Sequence, residues 1–163
     1  MRSLLASAIL LALLAAPVSA KDSLGVFSNW GAFRDPATPR CYAIAMAEKS
    51  RRSRDQQPFA TVATWPTRGV RGQVHWQLSR KLGKGSRVNL QIGTHRFDLT
   101  GSGANAWAKD KAMDAAIVAA MRSASSMTIY GRDSRGVLFS DSYNLDGVAT
   151  AMDAATVGCA RQG

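Results

Sequence analysis

Glutamate, histidine and cysteine are scarce in this chain of 163 residues: Glu48 stands alone, and there are two His and two Cys. A zinc site needs three or four ligands at recognisable spacing, and His75 and His95, with no Cys pair beside them, fall short of it. No metal or cofactor site follows from the sequence. Gly-x-Ser-x-Gly is absent, so the strained nucleophile turn of a Ser-His-Asp hydrolase has no counterpart, and Gly131 to Gly136 resembles it only superficially. His75 lies between Gln73 and Gln77 on the polar side of an alternating segment and His95 beside a turn, so both read as solvated surface residues. Gly83-Lys84-Gly85-Ser86 fails as a phosphate loop because Leu78 and Gly85 occupy the places where that motif needs Gly and Ser or Thr. It reads instead as a hairpin turn. No acid stands out as tuned for general acid or base work, and the chain reads as a non-enzyme.

Long apolar runs are scarce too. The one present, Leu4 to Ala16, follows Arg2 and precedes Pro17-Val18-Ser19-Ala20, whose small residues suit signal peptidase. Residues 1–20 therefore read as a cleaved secretory signal, leaving residues 21–163 as a single domain. At about 13 residues the run falls short of the roughly 20 needed to span a bilayer, and no second run of that length follows. The mature chain is expected to be exported without a transmembrane span, to the periplasm, the outer membrane or the cell surface.

What the chain does contain is a core. Apolar residues make up 46% of it, enough for one folded body, while heptads and collagen-like Gly-Pro content are missing. Cys41 and Cys159 both follow the cleavage point, and in an oxidising compartment they are expected to form one disulfide. Leu24 to Phe33, Cys41 to Ala47 and Phe59 to Trp65 are short runs of β-formers. Val74, Trp76 and Leu78 alternate with polar residues, as do Val88, Leu90 and Ile92, and Phe97 and Leu99 after the Gly93-Thr94 turn. Met113, Ala116, Ile117, Ala120 and Met121 form a helical stripe, with Asn105 or Asp110 as its cap. Strand character returns at Ser126 to Tyr130 and Val137 to Tyr143. A final helix follows, with Leu145, Val148, Ala149, Met152, Thr156 and Cys159 on one face. The pattern predicts a mainly β fold: an antiparallel β-sandwich of about seven or eight short strands with one internal and one C-terminal helix.

Trp30-Gly31, Pro39-Arg40-Cys41-Tyr42-Ala43-Ile44, the strand Ala60 to Pro66 with Gly69-Val70-Arg71-Gly72 after it, Leu145-Asp146-Gly147 and the closing Cys159 occur in an order that resembles the invasion-associated locus B family of exported bacterial proteins. The resemblance spans essentially the whole mature chain. It implies a β-sandwich-like periplasmic or outer-membrane-associated protein, linked in some pathogens to invasion of host red blood cells, and it supplies no catalytic residues.

Charge is the remaining feature. The chain carries 21 Lys plus Arg against 11 Asp plus Glu, a net +10. Between Lys49 and Arg96 the only acid is Asp55. Lys49, Arg51, Arg52 and Arg54 crowd one expected hairpin loop, Arg68 and Arg71 lie on the next connection, and Arg80, Lys81, Lys84 and Arg87 on the one after. If these loops share one end or face, their potential attracts anionic lipid headgroups or acidic glycans, and Arg suits bidentate contact with phosphate or sulfate. Nucleic acid fits poorly with export. The other reading of a non-catalytic exported chain is a periplasmic assembly or inhibitor module that binds an envelope protein through sheet edges.

Overall fold

In the computed structural model, which describes residues 20–160, the alternating segments become antiparallel strands. The signal assigned to residues 1–20 lies, but for Ala20, outside the described residues. β1 (Asp22–Phe27) and β2 (Trp30–Asp35) form a hairpin, β3 (Arg40–Met46) pairs with β2, and β4 (Phe59–Trp65) and β5 (Val70–Gln77) extend the sheet. β6 (Val88–Ile92) and β7 (His95–Ser102) form the expected hairpin through Gly93 and Thr94. The short β8 (Asn105–Trp107) joins β5 to β7, and β9 (Ser126–Arg132) joins β6 to β10 (Leu138–Asn144). The sheet order is β1-β2-β3-β4-β5-β8-β7-β6-β9-β10. Helix α1 (Lys111–Ser123) is internal and α2 (Val148–Ala160) C-terminal.

The architecture is mainly β, antiparallel and two-helical, with ten strands where the sequence predicts seven or eight. Leu24 to Phe33 divides in two because Ser28 takes a left-handed conformation at the tip of the first hairpin. Asn105, one of two possible caps for α1, starts β8 instead; Asp110 is the cap, its carboxylate accepting the N–H of Met113 at 2.8 Å. The Gly83 to Ser86 turn forms, with Ser86 N–H donating to Gly83 O at 3.0 Å. It is not a hairpin, since β5 pairs with β4 and β8 while β6 pairs with β7 and β9.

Ten strands laid flat would put β1 and β10 about 43 Å apart, at roughly 4.8 Å per neighbour. Instead Asn29 N–H, in the β1–β2 turn, donates to Asp146 O at 3.3 Å, just past β10. Trp30 Nε1 donates to Asn144 O at 3.0 Å, and Glu48 N–H, after β3, to Ser142 O at 2.8 Å. The sheet is therefore curled back on itself, and its two halves share one core. Trp30, Ala43, Val62, Val74 and Trp76 line it from the first half, and Leu90, Ile92, Ile129, Phe139 and Tyr143 from the second. Helix α2 covers β1 to β4, and α1 lies against β5.

Two close approaches fix α2. Gly147 has φ +84°, and a Cβ there would overlap the backbone of Phe27, so only glycine lets the helix start against the first hairpin. At the other end Cys159 is bonded to Cys41 on β3, with Cα atoms 5.7 Å apart and a sequence separation of 118. Closing a loop of that length removes unfolded-state entropy worth about 4 to 5 kcal/mol in the chain-entropy account. Replacing both cysteines by Ala is expected to lower unfolding free energy by about 4 kcal/mol, read from urea titrations. An unchanged urea midpoint would show that α2 holds its place without the bridge.

Candidate functional site

Alternate connections along an antiparallel meander emerge at opposite ends of the sheet. β3–β4 (residues 47–58) and β5–β6 (residues 78–87) thus open at one end, and β4–β5 at the other. The β9–β10 hairpin joins the first two: Gly83 N–H donates to Arg132 O at 2.9 Å, and Leu82 bridges to Asp133. The β3–β4 loop is tied down by Asp55 N–H to Ser79 O at 3.0 Å, Gln56 Nε2 to Leu78 O at 2.7 Å and Arg52 Nη1 to Leu138 O at 3.2 Å. Eight of the ten residues expected to attract anions therefore meet: Lys49, Arg51, Arg52 and Arg54 from one loop, Arg80, Lys81, Lys84 and Arg87 from the other. Arg132 and Arg135 join them from the hairpin. The sequence shows both residues in a turn, but their neighbours lie some 50 residues away along the chain, beyond any local pattern.

Arg68 and Arg71 do not join this cluster. Arg68 sits on the β4–β5 connection and Arg71 at the start of β5, separated from the cluster by the length of β4, about 20 Å for seven residues. Arg68 stacks on Trp65, 4.6 Å from the ring centre, and Arg40 lies 5.2 Å from the same ring. The guanidinium of Arg68 thus has an aromatic partner of its own.

Two buried acids sort the remaining cations. Asp133, at the hairpin, takes Arg80 at 3.0 Å and Arg135 at 3.3 Å. Burial works against its charged form, but the N–H of Val137, Arg80 and the N–H and guanidinium of Arg135 outweigh burial and hold the carboxyl at about 2. Asp141, on β10, has no exposed side-chain surface; Ser79 N–H donates to it at 2.8 Å and Arg54 stands 3.7 Å away. That gap makes an ion pair but not a hydrogen bond. Burial raises the Asp141 carboxyl despite Ser79 and Arg54, and burial followed by the Asp141 charge raises the neighbouring Tyr143 phenol. Arg54 and Arg80 are therefore internal counter-ions that brace the loops. Lys49, Arg51, Arg52, Lys81, Lys84, Arg87 and Arg132 have no carboxylate within ion-pair distance among the described residues.

Between the β3–β4 loop and β10 lies a hollow of about 510 Å³. Ser50, Ser53, Ser79 and Ser140 supply hydroxyls, Arg52 a guanidinium with no acid beside it, Arg54 and Arg80 guanidiniums already facing Asp141 and Asp133, and Val137 to Phe139 an apolar wall. Forked guanidiniums and hydroxyl donors around one opening match the acceptor atoms of phosphate, sulfate or carboxylate.

His75 is not the solvated residue its polar-face position implies. It lies half-buried between Phe59 and Trp107, with ring centres 5.9 and 5.4 Å away, and its Nε2 is 2.9 Å from Asn105 Oδ1. Burial, opposed by the Asn105 bond and aided by Arg40, lowers its pKa. Trp107 reaches it only because β8 pairs with β5, an alignment no local pattern announces. No cluster of His, Cys, Asp or Glu able to hold a metal occurs among the described residues. No family model, curated protein or solved structure matches the chain.

Arg54→Ser and Arg51→Ser separate the two kinds of cation. Arg51→Ser is expected to change stability by less than about 0.5 kcal/mol. Arg54→Ser leaves Asp141 buried without its counter-ion, at a cost on the order of 3 kcal/mol near pH 7. A carboxyl raised on folding binds its proton more tightly in the native state, so stability is lost as pH rises through the folded value. The Arg54→Ser deficit should therefore be small near pH 4 and grow toward pH 7, read from urea titrations at each pH. A pH-independent deficit would remove Asp141 as its cause.

Proposed function

We propose that this chain is an exported, non-catalytic protein of the bacterial envelope or cell surface that binds an anionic partner at its basic end. The observation that carries this reading is a set of cations with no acid within ion-pair distance, among the described residues, at one end of the sheet: Arg52 at the serine-lined hollow, Lys84, Arg87 and Arg132 at a second hollow that shares Leu138 with it, and Lys49, Arg51 and Lys81 on the same loops. Like charges held together repel, and a partner that neutralises them recovers that free energy. Anionic lipid headgroups and acidic glycans are the partner classes the chemistry suits. The apolar run and small residues before Lys21 support export. The resemblance to invasion-associated locus B proteins supports the envelope setting and, with it, a part in host-cell invasion.

A protein partner bound through sheet edges draws less support. The edge carbonyls of Ser142 and Leu138 on β10 already accept from Glu48 and Arg52, and β1 breaks register between Ser23 and Gly25. Edges blunted in this way resist strand addition.

Immobilised heparin tests the basic end. The variant Lys49→Ser, Arg51→Ser, Lys84→Ser, Arg87→Ser is expected to bind at least about tenfold more weakly, with a flatter salt dependence, while Arg68→Ser with Arg71→Ser changes little. Equal retention of the fourfold variant and the wild type would remove the assignment. Export has its own measurement: protein from envelope fractions should begin at Lys21, and a recovered Met1 would contradict cleavage.

A further inference from the structure

Large apolar side chains left in water are ordinary when scattered singly, and informative when they cluster. Six are exposed among the described residues: Val26, Met46, Tyr130, Val137, Leu138 and Val157. Five border the basic end. Val26 and Met46, 71% and 58% exposed, flank a hollow of about 470 Å³ whose rim includes Lys49. Val137 and Leu138, each 47% exposed, form the wall of the hollow that holds Arg52 and Arg80. Tyr130 shares a third hollow with Lys84, Arg87 and Arg132, and Leu138 lines this one too. Only Val157, on α2, lies apart.

The strand β10 explains how these pieces form one surface. It runs along the rim of the basic end, with Leu138 beside Arg52 at its start and Asn144 beside the Val26 and Met46 hollow at its finish. The seven residues of β10 span about 20 Å. Cations and apolar side chains therefore occur together at both ends of a rim of that length, Arg52 with Val137 and Leu138 at one and Lys49 with Val26 and Met46 at the other. A soluble polyanion would use only the charges and leave Val26 and Met46 in water. The surface of an anionic bilayer takes both, with phosphates against Lys and Arg and the acyl boundary against the apolar side chains.

We infer that the basic end is a docking surface for an anionic lipid bilayer, in which the free cations contact headgroup phosphates and Val26, Met46, Val137 and Leu138 enter the interfacial layer. The inference rests on the function proposed above and narrows its partner to a lipid surface.

The experiment compares two probes: sedimentation with phosphatidylcholine vesicles with or without about a third phosphatidylglycerol, and retention on immobilised heparin. All proteins share one N-terminal form, so that any contribution of the first residues cancels. Wild type should sediment with the anionic vesicles and not with phosphatidylcholine alone. Val26→Thr with Met46→Thr, which keeps strand-forming side chains, should reduce vesicle partitioning about tenfold and leave heparin retention unchanged. Leu138→Thr, made separately, should reduce vesicle partitioning as well, so that the result does not depend on one variant folding. If the threonine variants sediment like wild type, or wild type binds heparin but ignores the vesicles, the lipid inference falls and the basic-end reading stands. If neither probe holds the wild type, both fall.

Discussion

A sheet of ten strands has one inner face to bury, and the chain buries it by bending the sheet until its ends meet. That closure needs polar ties where the two edges approach, because backbone groups brought out of water must find partners. Asn29, Trp30 and Glu48 supply donors to carbonyls on and just past β10, those of Asp146, Asn144 and Ser142, and Gly147 lets α2 begin against the first hairpin. The disulfide then anchors the far end of α2 to β3. Everything at the basic end depends on this closure, for without it β10 and the β3–β4 loop would lie on remote parts of a flat sheet.

Closure also divides the cations by role. Asp133 and Asp141 enter on the β9–β10 hairpin and meet arginines from loops far away in sequence. A buried carboxylate without a counter-charge is costly, so Arg80 and Arg54 are drawn inward and spent on structure. The lysines and arginines left over remain at the rim, where water screens their repulsion. The charge density that gives the surface its character is thus what remains after internal pairing, and it is lower than a count of basic residues implies.

The rim differs from a merely soluble basic surface in the apolar residues set among its charges. The outer face of β9 and β10 is mostly polar, with Thr128, Ser140, Ser142 and Asn144, which makes Tyr130 and Leu138 exceptions on their own strands. Charge brings an anionic partner close from a distance, while apolar contact acts only on touching. A surface with both can distinguish a membrane from a soluble polyanion.

Alternation along Val74 to Leu78 and Val88 to Ile92, the stripe from Met113 to Met121 and the single pair of cysteines were enough to give the fold class, both helices and the disulfide. These features are local or have only one solution. The short β8 was hidden because three residues carry too little periodicity, and the split of β1 from β2 because Ser28 gives no sign of its left-handed backbone. At the basic end, local sequence determined that Lys49 to Arg54 and Arg80 to Arg87 would be positive and exposed to some degree. Only the tertiary structure decided that Arg68 and Arg71 stand at the opposite end, that Arg132 and Arg135 join the cluster, and that Arg54 and Arg80 face buried acids. The reason is physical: charge is a property of each residue, whereas its partner is chosen by the curl of a sheet whose contacts span the whole chain.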